Sequence, residues 1–118
     1  MADTRRINLK ADDAPHTLAD LRVLDVGSGV GGSYCALLMA GLGAEVVRIE
    51  LPVRPVYPPM GSTVWTALNR GKKCVTLDIT DARGYDVLMG LVDQSDILVH
   101  GFLPRSAIEL GLQYNRLC

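Results

Sequence analysis

Short β-branched runs alternate along this chain with longer apolar or one-faced segments, and that alternation predicts strands separated by helices. The first strand falls at residues 23–26, within Arg22-Val23-Leu24-Asp25-Val26. Residues 33–41 are too long and too unbranched for a second strand. Ala36, Leu37, Leu38, Met39 and Ala40 instead predict a buried helix with Ser33 as N-cap. Gly41 and Gly43 would end it. Val46-Val47-Arg48-Ile49 gives the next strand. Two strands joined through a helix make a parallel, right-handed βαβ unit.

Residues 51–62 carry Pro52, Pro55, Pro58 and Pro59 and cannot be regular structure. A short helix is expected at 63–69 with Trp65 inward, then a strand at 74–79. Asp81 would cap a helix whose stripe is Val87, Leu88, Leu91 and Val92. Asp96-Ile97-Leu98-Val99 is a fourth strand, and Pro104 opens another short helix at its first turn. The order describes an α/β fold, an open parallel sheet of Rossmann type with flanking helices. Residues 1–17 are polar and unpatterned and read as a loose leader, which leaves 18–118 as the folded segment.

Composition narrows the classes. A chain of 118 residues is one domain or part of one. With 48% hydrophobic and 21% charged residues it is globular rather than disordered. A net charge of −1 gives no global attraction to nucleic acid or to an acidic membrane surface. Cys35, Cys74 and Cys118 are odd in number and widely spaced, which argues against a disulfide framework or a thiolate zinc site. No histidine or carboxylate cluster has metal-ligand spacing. Arg5-Arg6 leads into no apolar core, and no apolar run has the length of a membrane span, so a cytoplasmic protein is expected.

Two motifs carry chemistry. Gly27-Ser28-Gly29-Val30-Gly31-Gly32 follows the first strand with the G-x-G-x-x-G spacing, and its amides would favour an anion over the next helix. Glu50 closes the second strand where nucleotide-binding domains place a ribose acid. Val23 to Gly29 also resembles the first motif of S-adenosylmethionine-dependent methyltransferases. A purely structural role of the glycines, allowing close helix–strand packing, stands beside both. The second motif is Arg70, Lys72 and Lys73, the only basic cluster, which reads either as charge for a phosphate or as a solvated turn. Asp25 is expected to be a structural carboxylate bonded to loop amides. Cys35 and Cys74 are expected to be buried apolar fillers. His100, at the end of the fourth strand, is expected to be a surface or hydrogen-bonding residue rather than a base.

Four ordered blocks resemble the family III CoA-transferases (CaiB/BaiF type), which include formyl-CoA and carnitine CoA-transferases and α-methylacyl-CoA racemases. They are Leu18-Ala19-Asp20-Leu21-Arg22-Val23-Leu24-Asp25; Leu42-Gly43-Ala44-Glu45-Val46-Val47-Arg48-Ile49-Glu50; Asn69-Arg70-Gly71-Lys72-Lys73-Cys74-Val75-Thr76-Leu77-Asp78; and Asp96-Ile97-Leu98-Val99-His100-Gly101-Phe102-Leu103-Pro104, with Leu110-Gly111-Leu112 following. Methyltransferases have no counterpart to the last two. The resemblance implies the beginning of that family's large domain, with coenzyme A or an acyl-CoA as ligand and no nucleic acid or membrane partner. It places CoA contacts on Gly29, Val30, Gly31, Leu77, Asp78 and Phe102. It also implies interlocked homodimers in the family, without guaranteeing them here.

The departures matter too. Gly31-Gly32-Ser33 stands where the family usually has Ala-Gly-Pro, Thr80 where a lysine is common, His100-Gly101-Phe102 for Glu-Asn-Phe, and Glu109 for a basic residue. The family's nucleophilic aspartate has no matching position before Cys118, so no catalytic residue is assigned and an N-terminal fragment, inactive alone, is expected. The alternatives are a methyltransferase-like domain and a non-catalytic domain with a degenerate CoA site.

Overall fold

The computed structural model describes residues 17–27, 29–52 and 58–118. The leader up to His16, Ser28 and part of the proline-rich stretch lie outside the described residues. Among the described residues nine elements follow one another: β1 Arg22–Val26, α1 Val30–Gly41, β2 Glu45–Glu50, α2 Thr63–Leu68, β3 Lys73–Thr76, α3 Ala82–Asp93, β4 Ile97–His100, α4 Pro104–Glu109 and α5 Tyr114–Leu117. The strands form one parallel sheet in the order β3-β2-β1-β4. β1 pairs with β2 from Arg22↔Glu45 to Val26↔Ile49 and with β4 from Val23↔Ile97 to Val26↔His100.

Helices cover both faces of the sheet, so the central strands are buried on both sides. Val23 and Val46 meet Ala36 of α1 on one face. On the other, Val26 and Ile49 join Leu88 of α3, Ala107 of α4 and Leu110 in the larger core. The edge strand β3 is exposed throughout and carries Lys73, a charge that discourages further strand pairing.

Several boundaries differ from the sequence expectation. α1 begins at Val30, with Gly29 rather than Ser33 at the N-cap; Ser33 lies in the helix, fully buried. β3 ends at Thr76, so Leu77 and Asp78 lie beyond the strand, and β4 starts at Ile97. α5 had no sequence signal. Asp81 caps α3 by accepting from the Arg83 amide, as expected, but Val87 faces solvent while Leu88 is fully buried. Cys35 and Cys74 are exposed, the reverse of the expected filler role, because α1 turns Cys35 outward and β3 is an edge. α1 is apolar on its outer side as well, with Tyr34, Leu38 and Leu42 each about half exposed. No helix among the described residues is long and apolar enough to cross a membrane.

Candidate functional site

The strand order places a topological switch point between β1 and β4, since β2 and β3 lie to one side of β1 and β4 to the other. Ligand crevices in open α/β sheets form there, outside the carboxyl ends of the strands. The bend from β1 into α1 crosses this point. Gly29 has φ 80° and ψ −174°, a conformation essentially restricted to glycine. It is the N-cap of α1, no side chain caps the helix, and the first turn holds no acidic residue. The leading amides of a helix have no intrahelical acceptor, so those of Val30 and Gly31 are available to an anion. A Cβ added at Gly29 or Gly31 would meet no atom of the described residues within 4 Å.

Gly32 ties the bend to β4: a Cβ there would lie 3.4 Å from the Gly101 amide nitrogen and from the His100 carbonyl carbon. The structure thus brings Gly29, Val30 and Gly31 alongside the segment that leads to Phe102. Phe102 is half-buried against the larger core, and its amide donates to His100 Nδ1 at 3.2 Å, so His100 is a hydrogen-bonding residue. Leu77 and Asp78 are farther off. They follow β3, two strands from β1, about 10 Å across the sheet. Leu77 packs on the larger core, and Asp78 accepts from the Thr80 amide at 2.9 Å. The Thr80 hydroxyl and amide hold the Asp78 carboxyl below its ordinary pKa. Leu77 and Asp78 can border only the far side of a ligand seated at the bend.

Beneath the bend lies a buried ionic cluster that the sequence reading missed. Arg48 is fully buried; its Nη1 donates to both Asp25 oxygens at 3.2 Å and to Ser33 Oγ at 2.7 Å, and its Nε donates to Glu50 at 2.8 Å. Lys72 Nζ donates to Asp25 at 2.8 Å, to the Ser33 carbonyl at 2.8 Å and to Asn69 at 3.0 Å. Trp65 Nε1 donates to the same Glu50 oxygen at 2.7 Å. Glu50 is therefore a structural partner, not a ribose acid facing solvent. Asp25 is structural as expected, and its partners among the described residues are the side-chain cations Arg48 and Lys72. A side chain at Gly27 would collide with the Arg48 guanidinium, so this glycine is required by packing. Burial lowers the Lys72 pKa, opposed by its bonds to Asp25.

Of the basic trio, then, only Lys72 is withdrawn from solvent. Arg70 is exposed, and Lys73 bonds Glu45 at 2.7 Å on the surface. A signal for Arg48 was available. Val46, Arg48 and Glu50 share one face of a strand in a sheet covered on both sides, so a charge there must be buried and paired.

Cavities among the described residues lie elsewhere. One of about 540 Å³ sits beside β4, lined by Leu98, His100, Leu112 and Leu117 among others. The second, of about 520 Å³, is lined by Gly61, Thr63, Thr66, Ala67 and Arg70. Neither includes a described residue of the bend. Among the described residues no group of histidines, cysteines and carboxylates could hold a metal.

Residues 18–118 match the family described as CoA-transferase family III. The chain belongs to this family. Succinyl-CoA–D-citramalate CoA-transferase of Chloroflexus aurantiacus is 34% identical over 113 residues, covering 87% of this chain and 28% of that protein. A probable fatty acyl-CoA transferase of Mycobacterium tuberculosis is 34% identical over 105 residues, covering 80% of this chain and 26% of its own length. A crystal structure of that mycobacterial protein superimposes with a TM-score of 0.77 at 33% identity, over 87% of this chain and 29% of that one. A CaiB/BaiF family protein from Brucella suis shares the fold, with a TM-score of 0.76 at 24% identity over 88% of this chain and 30% of that one. The chain spans less than a third of the length of these relatives.

Proposed function

We propose that this chain supplies the nucleotide-facing part of a coenzyme A site, in a protein that transfers CoA between an acyl-CoA and a carboxylic acid. The observation that carries the proposal is the β1–α1 bend: an uncapped helix N-terminus at the switch point, in a member of CoA-transferase family III. Coenzyme A bears a pyrophosphate and a 3′-phosphate, which seek such amides, while its adenine seeks apolar walls. Gly29, Val30 and Gly31 would receive a phosphate. Phe102 would border the same crevice, with Leu77 and Asp78 at its far edge. No residue of this chain is assigned as nucleophile or proton donor. The chain's part is to bind and orient the carrier.

Thermal shift of the 118-residue chain tests this. Coenzyme A should raise the midpoint, and S-adenosylmethionine should not. Gly31→Leu should weaken CoA binding by about tenfold or more, because the new side chain fills space that the ligand needs. It should leave stability unchanged or slightly higher, since glycine inside a helix costs roughly 0.5–1 kcal/mol relative to alanine. Stabilisation by S-adenosylmethionine, or unaltered CoA binding in Gly31→Leu, would refute the assignment.

A further inference from the structure

Resting on the coenzyme A reading, we propose that Arg48 and Lys72 are positioning residues that set the ligand bend through Ser33. Both cations hold Asp25 near the end of β1, and both hold Ser33 in the first turn of α1, one at its hydroxyl and the other at its carbonyl. The two ends of the bend are thus clamped to one pair of side chains. Between them lie Gly27, Gly29, Gly31 and Gly32, which carry no side chains able to hold the backbone otherwise. The guanidinium lies directly against Gly27 and so supports the bend from below.

Two further observations favour a geometric role. Arg48 Nη2 is buried with no acceptor among the described residues, a cost that optimisation for stability alone would remove. The cluster also contains two cations, Arg48 and Lys72, and two carboxylates, Asp25 and Glu50, so its formal charges cancel. It contributes alignment rather than net attraction for an anion.

Calorimetric titration of the full chain with coenzyme A tests the inference in Ser33→Ala, in Arg48→Lys and in Trp65→Phe. The last removes the indole bond to Glu50, the end of the network farthest from Ser33. Ser33→Ala should weaken binding about tenfold, equally at low and high salt. Arg48→Lys, which keeps the charge but shortens the reach, should weaken it at least as much. Trp65→Phe should lower the melting midpoint yet leave affinity within about twofold. The inference fails if Ser33→Ala binds like the parent chain, or if affinity simply follows the melting midpoint through all three variants. If Arg48→Lys does not fold, Ser33→Ala decides alone. If the parent chain does not bind coenzyme A, the functional proposal falls, and amide resonances then judge the clamp. Ser33→Ala should shift those of residues 29–37 while Trp65→Phe leaves them in place; unshifted resonances in Ser33→Ala would overturn it.

Discussion

Helices α1 and α3 have the same length, 12 residues, and each follows a strand of one parallel sheet, yet they are finished in opposite ways. Asp81 closes the N-terminus of α3 with its carboxylate, and Leu88 buries the helix on an apolar core. A side chain at Gly84 would collide with the Asp78 carbonyl, so α3 is also pressed onto the turn before it. α1 has no side-chain cap, carries no charged residue, and rests its first turn on buried ions. A capped N-terminus over an apolar core is finished as structure. An uncapped one over a clamp is what the proposed coenzyme A site requires.

Four substitutions or conditions can break or sharpen that contrast. Asp25→Ala should have the largest effect, about 3–5 kcal/mol, because it leaves Arg48 and Lys72 buried without their shared carboxylate. Urea unfolding measures it, and a loss near 1 kcal/mol would mean that water compensates the cations. Leu88→Ala on the opposite face should cost about 2–5 kcal/mol as a plain cavity. Unlike changes at the clamp, it should leave coenzyme A affinity unchanged once the chain is folded. Asp81→Ala should cost about 1 kcal/mol by uncapping α3, visible as a lowered thermal midpoint and as faster amide exchange in the first turn of α3.

The smallest effect is on pH dependence. Burial holds Lys72 below lysine's ordinary 10.5, so the unfolded chain binds that proton more tightly than the folded one. The penalty is full below the folded pKa. This group's contribution to stability therefore rises with pH from there towards 10.5. Subtracting the pH–stability curve of Lys72→Met from that of the parent chain should leave this rising component. A difference that is flat or falls with pH contradicts it.

The sheet was largely legible in the sequence, because a parallel sheet covered on both faces demands continuous β-branched runs such as Val46-Val47. The start of α1 was not. Val30-Gly31-Gly32 holds two of the poorest helix formers apart from proline, and packing of Gly32 on the end of β4 overrides that propensity. Cys35 and Cys74 were misplaced because apolar neighbours do not tell which side of a helix, or which strand of a sheet, faces water. The bend was visible as glycines. Its support was not, because Asp25, Ser33, Arg48 and Lys72 lie 8 to 47 positions apart, and only the register of β1 against β2 brings Asp25 and Arg48 together.

The indole of Trp65 has one further consequence. It is the chain's sole tryptophan, and it shares a Glu50 oxygen with the guanidinium that reaches Ser33. Its fluorescence therefore comes from one place, three hydrogen bonds from the first turn of α1. The protein carries its own optical gauge of that turn, readable in wavelength and intensity without any attached dye.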